Sequence, residues 1–178
     1  SSDHYHYRLA ALTPMSLESI KVLIVDDDPA MLRLLAKWLE SEGFQVLRAN
    51  DGRQAMELIE AERPRLLLTD WEMPNVDGLE LCRWVRGQNF GHYIYTIFLT
   101  VRSHSADMLK GLEAGADDFL KKPVDRDELL ARVGLAAFRD TTPARRPART
   151  RDGDLRGAGR PAATRTPHVH RVRPGRPV

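Results

Sequence analysis

The sequence predicts an α/β fold in which five parallel strands alternate with helices. From Lys21 to Phe138 the apolar pattern switches five times between short continuous runs and helical spacing. The runs are mostly apolar, as strands covered by helices on both faces should be. Short connections and right-handed crossovers bring the carboxyl ends of such strands to one edge of the sheet, so the chemistry of the protein is expected there.

Five apolar runs are predicted to form the strands, at residues 22–25, 45–49, 66–69, 94–99 and 118–120. Their lengths are typical of strands and too short for helices. The stretches between them are predicted to be helical.

The first helix has well-marked ends. Asp28 is suited to cap its start, Pro29 to occupy its first turn and Gly43 to follow its last turn. Apolar side chains recur along one side of this helix, at Met31, Leu34, Leu35, Trp38 and Leu39.

The last helix is predicted to begin at Asp125, because Glu128 three residues later makes a variant of the capping box. Its inner side carries Leu129, Leu130 and Val133. The helical pattern fades after Phe138, so residues 15–138 are predicted to form the domain.

Both ends of the chain are predicted to lie outside this domain. Residues 1–14 have no clear period and are expected to be a flexible or artificially added extension, in which His4 and His6 receive no metal-binding role. Residues 139–178 hold eleven Arg, three Asp, six Pro and four Gly, and too few apolar residues to offset the entropy of ordering. They are predicted to be a disordered basic tail, either solvated or translated outside the natural frame. A nucleic-acid partner is not expected, because the tail lacks the aromatic residues on which bases stack.

Composition excludes several classes of protein. No apolar run approaches the roughly 18 residues that a membrane helix needs. Cys82 is the single cysteine, so neither an intramolecular disulfide nor a Cys-rich zinc site is expected, and helical spacing assigns Cys82 to the core. Nothing in the sequence has the pattern of a secretory signal, and a cytoplasmic location is expected.

Polar residues follow the predicted strands at the carboxyl edge of the sheet. Asp26 and Asp27 follow the first strand, Asp70 the third, Thr100 the fourth and Lys122 the fifth. Clustered carboxylates repel one another unless a cation joins them, and Mg²⁺ binds one or two carboxylates together with phosphate oxygens. A carboxylate beside the metal can attack phosphorus, while a lysine and a hydroxyl stabilise the transferring phosphoryl group. The pattern therefore favours Mg²⁺-dependent phosphoryl chemistry.

Four motifs resemble the receiver domains of bacterial two-component response regulators. They read VLIVDDDPAML, LLLTDWEMPNVDGLEL, IFLT and GADDFLKKPVDRDEL. The spacings agree as well, because 43 residues separate Asp27 from Asp70, 30 separate Asp70 from Thr100, and 22 separate Thr100 from Lys122. The resemblance covers about residues 20–138. It implies a doubly wound (βα)5 flavodoxin-like sandwich with a five-stranded parallel sheet of order 2-1-3-4-5.

The resemblance also implies a role for each polar residue. Asp70 would accept a phosphoryl group from the phosphohistidine of a sensor histidine kinase or a phosphotransfer protein. Mg²⁺ would be held by Asp26, Asp27, the Asp70 carboxylate and the backbone carbonyl of Glu72. Lys122 would pair with the phosphate oxygens.

Further residues match family positions that move on phosphorylation or shape the backbone beside the site. Thr100 would move to hydrogen-bond the phosphoryl group, and Phe119 would turn inward with it. Pro123 stands where the family usually has a cis peptide bond. Gly78 is expected to serve a backbone turn before the third helix. Trp71, directly after the phosphoacceptor, is expected to be partly exposed, so that its fluorescence reports binding.

Two features distinguish this sequence within the resemblance. Val101 stands where the family commonly has a small residue, so its side chain is expected to narrow access and slow reaction with phosphodonors and water. Glu72 and Arg102, each two residues beyond a key position, are expected to orient or exclude the hydrolytic water and so to tune the lifetime of the signal.

The leading interpretation is a phosphorylation-controlled switch that catalyses only its own phosphorylation and dephosphorylation. Its fourth helix, fifth strand and fifth helix are expected to change when Asp70 is modified. A Mg²⁺-dependent phosphohydrolase is disfavoured, since no cap or substrate pocket is encoded. A nucleotide- or flavin-binding fold is disfavoured, since DDDPA after the first strand is not rich in glycine. The output stays open: the chain looks similar to receivers fused to diguanylate cyclases, and a homodimer that forms on phosphorylation is also compatible with the family.

Overall fold

Strands and helices alternate along the chain. The computed structural model describes residues 19–102 and 104–141. Its strands are β1 (Lys21–Val25), β2 (Gln45–Ala49), β3 (Leu66–Asp70), β4 (Tyr95–Thr100) and β5 (Asp118–Lys121). Its helices are α1 (Pro29–Ser41), α2 (Gly52–Glu62), α3 (Gly78–Gly87), α4 (Ser105–Ala114) and α5 (Arg126–Thr141). The predicted N-terminal extension, with His4 and His6, and residues 142–178 of the predicted basic tail lie outside the described residues.

The five strands form one parallel sheet in the order β2-β1-β3-β4-β5, which confirms the predicted order. β1 pairs with β2 on one side and with β3 on the other, so the direction of winding reverses between β1 and β3. In sheets of this kind a crevice opens outside the carboxyl ends of the two strands at the reversal.

β3, β4 and β5 each end one residue later than predicted, and β4 begins at Tyr95 rather than at residue 94. The register pairs Asp70 with Leu99 and Thr100 with Lys121. The strand ladder is made by backbone groups, so it continues after the side chains turn from apolar to polar. Asp70 and Thr100 are therefore the last residues of their strands.

Helices cover both faces of the sheet. Alternate residues of β1 point to opposite faces, so Val22 and Ile24 join one core cluster while Leu23 and Val25 join another. On the first face α1 and α5 contribute buried side chains that include Leu35, Leu39, Leu129 and Val133. On the second face α2 and α3 contribute Ala55, Ile59, Leu81 and Val85.

A third core cluster lies beside α4 and contains Trp71 and Cys82. Cys82 is fully buried, which confirms its assignment to the core. The expectation that Trp71 is partly exposed was wrong, because only 6% of its surface is accessible. The Trp71 ring packs against Phe98, with centroids 5.0 Å apart, and against Gly111 of α4.

The helix ends follow the predicted caps in part. The Asp28 side chain accepts a hydrogen bond from the backbone N of Ala30 at 2.9 Å and caps α1. Asp125 accepts one from the backbone N of Glu128 at 2.9 Å and caps α5. α5 runs to Thr141, three residues beyond the predicted end, and an arginine in its last turn complements the helix dipole. Across 19–102 and 104–141, no helix has both the length and the apolar character of a membrane span.

Candidate functional site

Three aspartates converge at the carboxyl ends of β1 and β3. Because the register pairs Val25 with Thr69, the next residues along, Asp26 and Asp70, are neighbours. One carboxylate oxygen from each of Asp26, Asp27 and Asp70 lies within 4.8 Å of the others. Asp26 is buried, Asp70 is half-buried and Asp27 is exposed, so the cluster opens to solvent on the side of Asp27.

Lys122 reaches this cluster from the loop after β5. Its Nζ lies 3.0 Å from Asp26 Oδ2 and 3.2 Å from Asp70 Oδ1. Lys121, its neighbour in the sequence, is exposed. The Lys122–Pro123 peptide bond is cis, as the resemblance implied. Three carboxylates and one ammonium therefore share the site and leave it with a net negative charge.

The ionisation of Asp70 and Lys122 reflects this environment. Burial raises the pKa of the Asp70 carboxyl above its ordinary value; the Lys122 ammonium opposes that rise, and the Asp26 carboxylate adds to it. Burial alone would lower the pKa of Lys122, but its hydrogen bond to Asp26 and the charges of Asp26 and Asp70 outweigh burial and raise that pKa. Lys122 is therefore a cation at neutral pH, ready to pair with an anion.

The donor set suits a hard divalent cation. The cluster consists of carboxylates, which are the ligands of Mg²⁺ rather than of softer metals. An open side also suits Mg²⁺, because this ion keeps several waters or phosphate oxygens among its ligands. The Glu72 side chain pairs with Arg102, and the predicted use of the Glu72 backbone carbonyl as a ligand stays a prediction.

Thr100 is the last residue of β4, beside β3, and Phe119 lies on β5, on the far side of β4. Thr100 is buried; its Oγ1 accepts a hydrogen bond from the backbone N of Arg102 at 2.9 Å, and its carbonyl accepts one from the backbone N of Lys122 at 2.9 Å. Phe119 is half-buried, and its ring centroid lies 6.5 Å from that of Trp71. The backbone of Thr100 is thus linked to Lys122, and Phe119 faces the residue that follows Asp70.

Asp77 and Gly78 begin α3 directly behind Asp70. Asp77 Oδ1 accepts a hydrogen bond from the backbone N of Glu80 at 2.8 Å and caps the helix. Gly78 is the first residue of α3 rather than part of a turn, so the role expected for it was wrong. A Cβ atom there would stand 2.3 Å from the carbonyl oxygen of Asp70, so glycine is required by the close approach of two backbone segments.

An open pocket of about 510 Å³ adjoins the carboxylates. Arg102 lies along one side, where its guanidinium pairs with Glu72, lies 3.4 Å from Asp107 Oδ1 and stands 5.9 Å from the Trp71 ring centroid. The pocket is lined by Asp27, Trp71, Glu72, Met73, Pro74, Asp77 and Arg102.

Sequence reasoning missed one neighbour of the site, Asp107, and the burial of another, Trp71. Asp107 stands in the first turn of α4, where an acid complements the helix dipole, and that local signal gives no indication of its ion pair with Arg102. Trp71 was singled out in the sequence, but its burial depends on contacts with Phe98, which lies on another strand. Both relationships are tertiary.

Known proteins similar to this chain share one domain type. A family model described as the response regulator receiver domain matches residues 22–134. Response regulator MprA of Mycolicibacterium vanbaalenii is 43% identical over 124 residues, which are 70% of this chain and 52% of that protein. The chain therefore spans about half the length of the curated relatives it matches.

Two solved structures extend this similarity to three dimensions. The receiver domain of the Francisella response regulator 1452 matches with a TM-score of 0.64 and 32% identity, over 70% of this chain and 100% of that one. A probable two-component system response regulator/GGDEF domain protein matches with a TM-score of 0.68 and 29% identity, over 76% of this chain and 57% of that one.

Proposed function

This chain belongs to the response regulator receiver domain family and is the receiver domain of a two-component response regulator, and from that membership we propose that Asp70 is its phosphoacceptor. The observation that carries the proposal is the position of Lys122 Nζ, 3.2 Å from Asp70 and 3.0 Å from Asp26. One place thus holds three groups that phosphoryl transfer needs. Asp70 supplies the nucleophile, Asp26 a carboxylate for a metal, and Lys122 a cation for the phosphate oxygens.

Asp70 would react as a nucleophile toward a phosphohistidine on a sensor histidine kinase or a phosphotransfer protein. A carboxylate oxygen attacks phosphorus, the new O–P bond forms, and the P–N bond breaks with its electron pair passing to the imidazole nitrogen, which takes a proton from water. Lys122 pairs with the phosphoryl oxygens and stabilises their charge. Attack of water on phosphorus later restores the carboxylate and releases inorganic phosphate. The domain thus catalyses only its own phosphorylation and dephosphorylation.

Mg²⁺ is the proposed cofactor of both reactions. It would be held by the carboxylates of Asp26, Asp27 and Asp70 and by the backbone carbonyl of Glu72. Bound there, it would neutralise charge on the phosphoryl oxygens. The close grouping of three carboxylates at an open edge supports this assignment.

Thr100 and Phe119 are the proposed switch residues. Thr100 would donate its hydroxyl hydrogen to a phosphoryl oxygen, and Phe119 would follow it inward. The two states differ in these contacts, so the phosphoryl group shifts the population toward the state in which Thr100 is engaged.

The output is proposed to come from α4, β5 and α5. α4 exposes Met108, Leu109 and Leu112, and α5 exposes Leu135 and Phe138, which supplies apolar surface for a partner or a second copy. Light scattering with Mg²⁺ and beryllofluoride, a phosphoryl mimic, would detect a dimer, and Asp70→Asn is the control. Similarity to a response regulator/GGDEF domain protein makes a diguanylate cyclase one candidate effector.

The decisive test of the phosphoacceptor is direct. The protein is incubated with phosphoramidate and Mg²⁺, its mass is measured intact, and the acyl phosphate is reduced with borohydride so that peptide sequencing locates it. One phosphoryl group at Asp70 is expected in the unmutated protein and in the control Asp127→Asn, whose side chain is 79% exposed. Equal phosphorylation of Asp70→Asn would reject the proposal, and repeated turnover of small phosphate esters would favour a phosphohydrolase.

A further inference from the structure

The C-terminal end of α4 is held by buried groups. Arg86 of α3 donates from Nε to the carbonyl oxygen of Gly115 at 2.9 Å and from Nη2 to Asp117 Oδ2 at 3.0 Å. The Asp117 side chain is only 3% exposed and also accepts a hydrogen bond from the backbone N of Thr96 at 2.9 Å. Charge-assisted hydrogen bonds of this kind are short and strong, so the end of α4 at Gly115 is firmly attached to α3 and β4.

The N-terminal end of α4 is held by partly exposed groups. Arg102 Nη1 lies 3.4 Å from Oδ1 of Asp107, in the first turn of the helix. The same guanidinium pairs with Glu72, and the two side chains are 38% and 63% exposed. Exposed ion pairs contribute little to stability because water and salt screen them, so this attachment is the weaker of the two.

Arg102 also touches the proposed switch hydroxyl. Its backbone N donates to Thr100 Oγ1 at 2.9 Å, while its side chain binds α4 through Asp107. The side-chain Nε of Arg102 is buried and makes no hydrogen bond within the described residues. A buried donor without an acceptor is costly, so an arrangement of Arg102 that satisfied Nε would recover that cost.

The middle of α4 rests on aromatic rings. A Cβ atom on Gly111 would stand 2.7 Å from the Phe119 ring and 3.0 Å from the Trp71 ring. The backbone of α4 therefore passes close to both rings, and this contact is apolar packing rather than a hydrogen bond. Movement of α4 is thus opposed at Gly115 and weakly restrained at Asp107.

We propose that Arg102 is a positioning residue that transmits phosphorylation of Asp70 to the N-terminal end of α4. The inference rests on the proposed function of Asp70. When Thr100 engages the phosphoryl group, its Oγ1 leaves the backbone N of Arg102, and Arg102 releases Asp107. α4 then moves at its N-terminal end and stays in place at Gly115.

The test places a fluorescent label at each end of α4. Ala106 and Glu113 are both exposed and stand on the same side of the helix, two turns apart. Ala106→Cys and Glu113→Cys each supply one reactive thiol, because Cys82 is buried and burial raises the pKa of its thiol to about 11. The full chain is labelled with an environment-sensitive maleimide, Mg²⁺ and beryllofluoride are added, and ¹⁹F NMR measures bound beryllofluoride independently of the label.

The label at position 106 should respond at least threefold more strongly than the label at position 113. Arg102→Ala should reduce the response at position 106 at least threefold while beryllofluoride still binds. Asp107→Asn, which removes a charge and preserves size, should have the same effect. Arg48→Ala removes an exposed ion pair with Glu40, which joins β2 to α1 and not to α4, and should change neither reading.

Two results would overturn the inference alone. One is an undiminished response at position 106 in Arg102→Ala with beryllofluoride bound, and the other is an equal response at both positions in the unmutated protein. Absence of bound beryllofluoride in the unmutated protein would instead overturn the proposed function of Asp70, and this inference with it.

Discussion

A Cβ atom on Gly78 would stand 2.3 Å from the carbonyl oxygen of Asp70. The first residue of α3 thus lies directly against the backbone of the proposed phosphoacceptor. The Phe98 ring, 2.7 Å from the same Cβ position, leaves no room on the other side. The backbone N of Gly78 donates to the carbonyl oxygen of Trp71 at 2.9 Å. These contacts hold the end of β3, and with it the Asp70 carboxylate, at the distance from Lys122 that the site requires.

Gly78→Ala should lower the free energy of unfolding by about 1–3 kcal/mol, because the added methyl group must displace backbone or an aromatic ring. Urea unfolding followed by circular dichroism measures this loss. Gly87→Ala is the matched control in the same helix, since nothing lies within 4 Å of its Cβ position, and it should be neutral or stabilise by up to about 1 kcal/mol. Equal midpoints for the two variants would show that the close approach at Gly78 is not restrictive.

Asp117→Asn should destabilise the fold by about 3 kcal/mol or more. The substitution leaves the Arg86 guanidinium without its buried anion, and breaking a buried ion pair from one side is costly. The exposed pair of Asp127 with Arg126, at 3.6 Å, provides the control, because Asp127→Asn should change stability by less than about 0.5 kcal/mol. A small effect at Asp117 in the same urea titration would contradict the assignment of this network as the fixed end of α4.

Cys82 should make stability depend on pH in the alkaline range. Burial raises the pKa of its thiol from an ordinary value of 9.0 to about 11. The folded state therefore holds this proton more tightly than the unfolded chain, and the stabilisation is fully present below pH 9 and is lost as pH rises through 11. Between pH 9 and pH 11 the free energy of unfolding should therefore fall by on the order of 2 kcal/mol. Cys82→Ala should abolish this fall. Urea midpoints that fall in parallel for both proteins would refute the assignment.

Mg²⁺ should stabilise the folded domain. A ligand that binds only the folded state stabilises by about 2.7 kcal/mol at one hundred times its dissociation constant, so the thermal midpoint should rise with Mg²⁺ concentration and return on chelation with EDTA. Asp27→Asn should weaken this response, because Asp27 is a carboxylate of the cluster that is exposed rather than packed in the core. Glu57→Gln, at an exposed position on α2, should leave the response intact. A full response in Asp27→Asn would remove Asp27 from the ligand set.

Val101→Ala should increase the rates of both autophosphorylation and dephosphorylation by a few fold. Val101 follows Thr100 directly, and its side chain is 66% exposed, so we expect it to narrow the approach of phosphodonors and water. Phosphoramidate-driven phosphorylation and the decay of the acyl phosphate, both followed by intact mass, provide the two rates. Unchanged rates would show that Val101 does not restrict access.

The ends of the helices and strands show which boundaries a local sequence pattern can predict. Asp28 caps α1 and Asp125 caps α5 as predicted. A cap is a hydrogen bond between residues two or three positions apart, and few residue types can form it, so the sequence alone predicts it. The late ends of β3 and β4 were not predicted, since pairing of Asp70 with Leu99 depends on a neighbouring strand. Apolar periodicity indicates where a strand is buried, and the backbone ladder decides where it stops.

The sequence by itself determined the alternating α/β fold and the residues that meet at the carboxyl edge of the sheet. It did so because parallel strands with short crossovers place every strand end on one edge, and the resemblance to receiver domains then indicates roles for Asp27, Asp70, Thr100 and Lys122. Only the tertiary structure decided that Trp71 is buried, that Gly78 is needed for a close approach to Asp70, and that Arg102 joins Thr100 to Asp107. Each of these depends on distances between segments far apart in the chain, which local propensity and spacing do not encode.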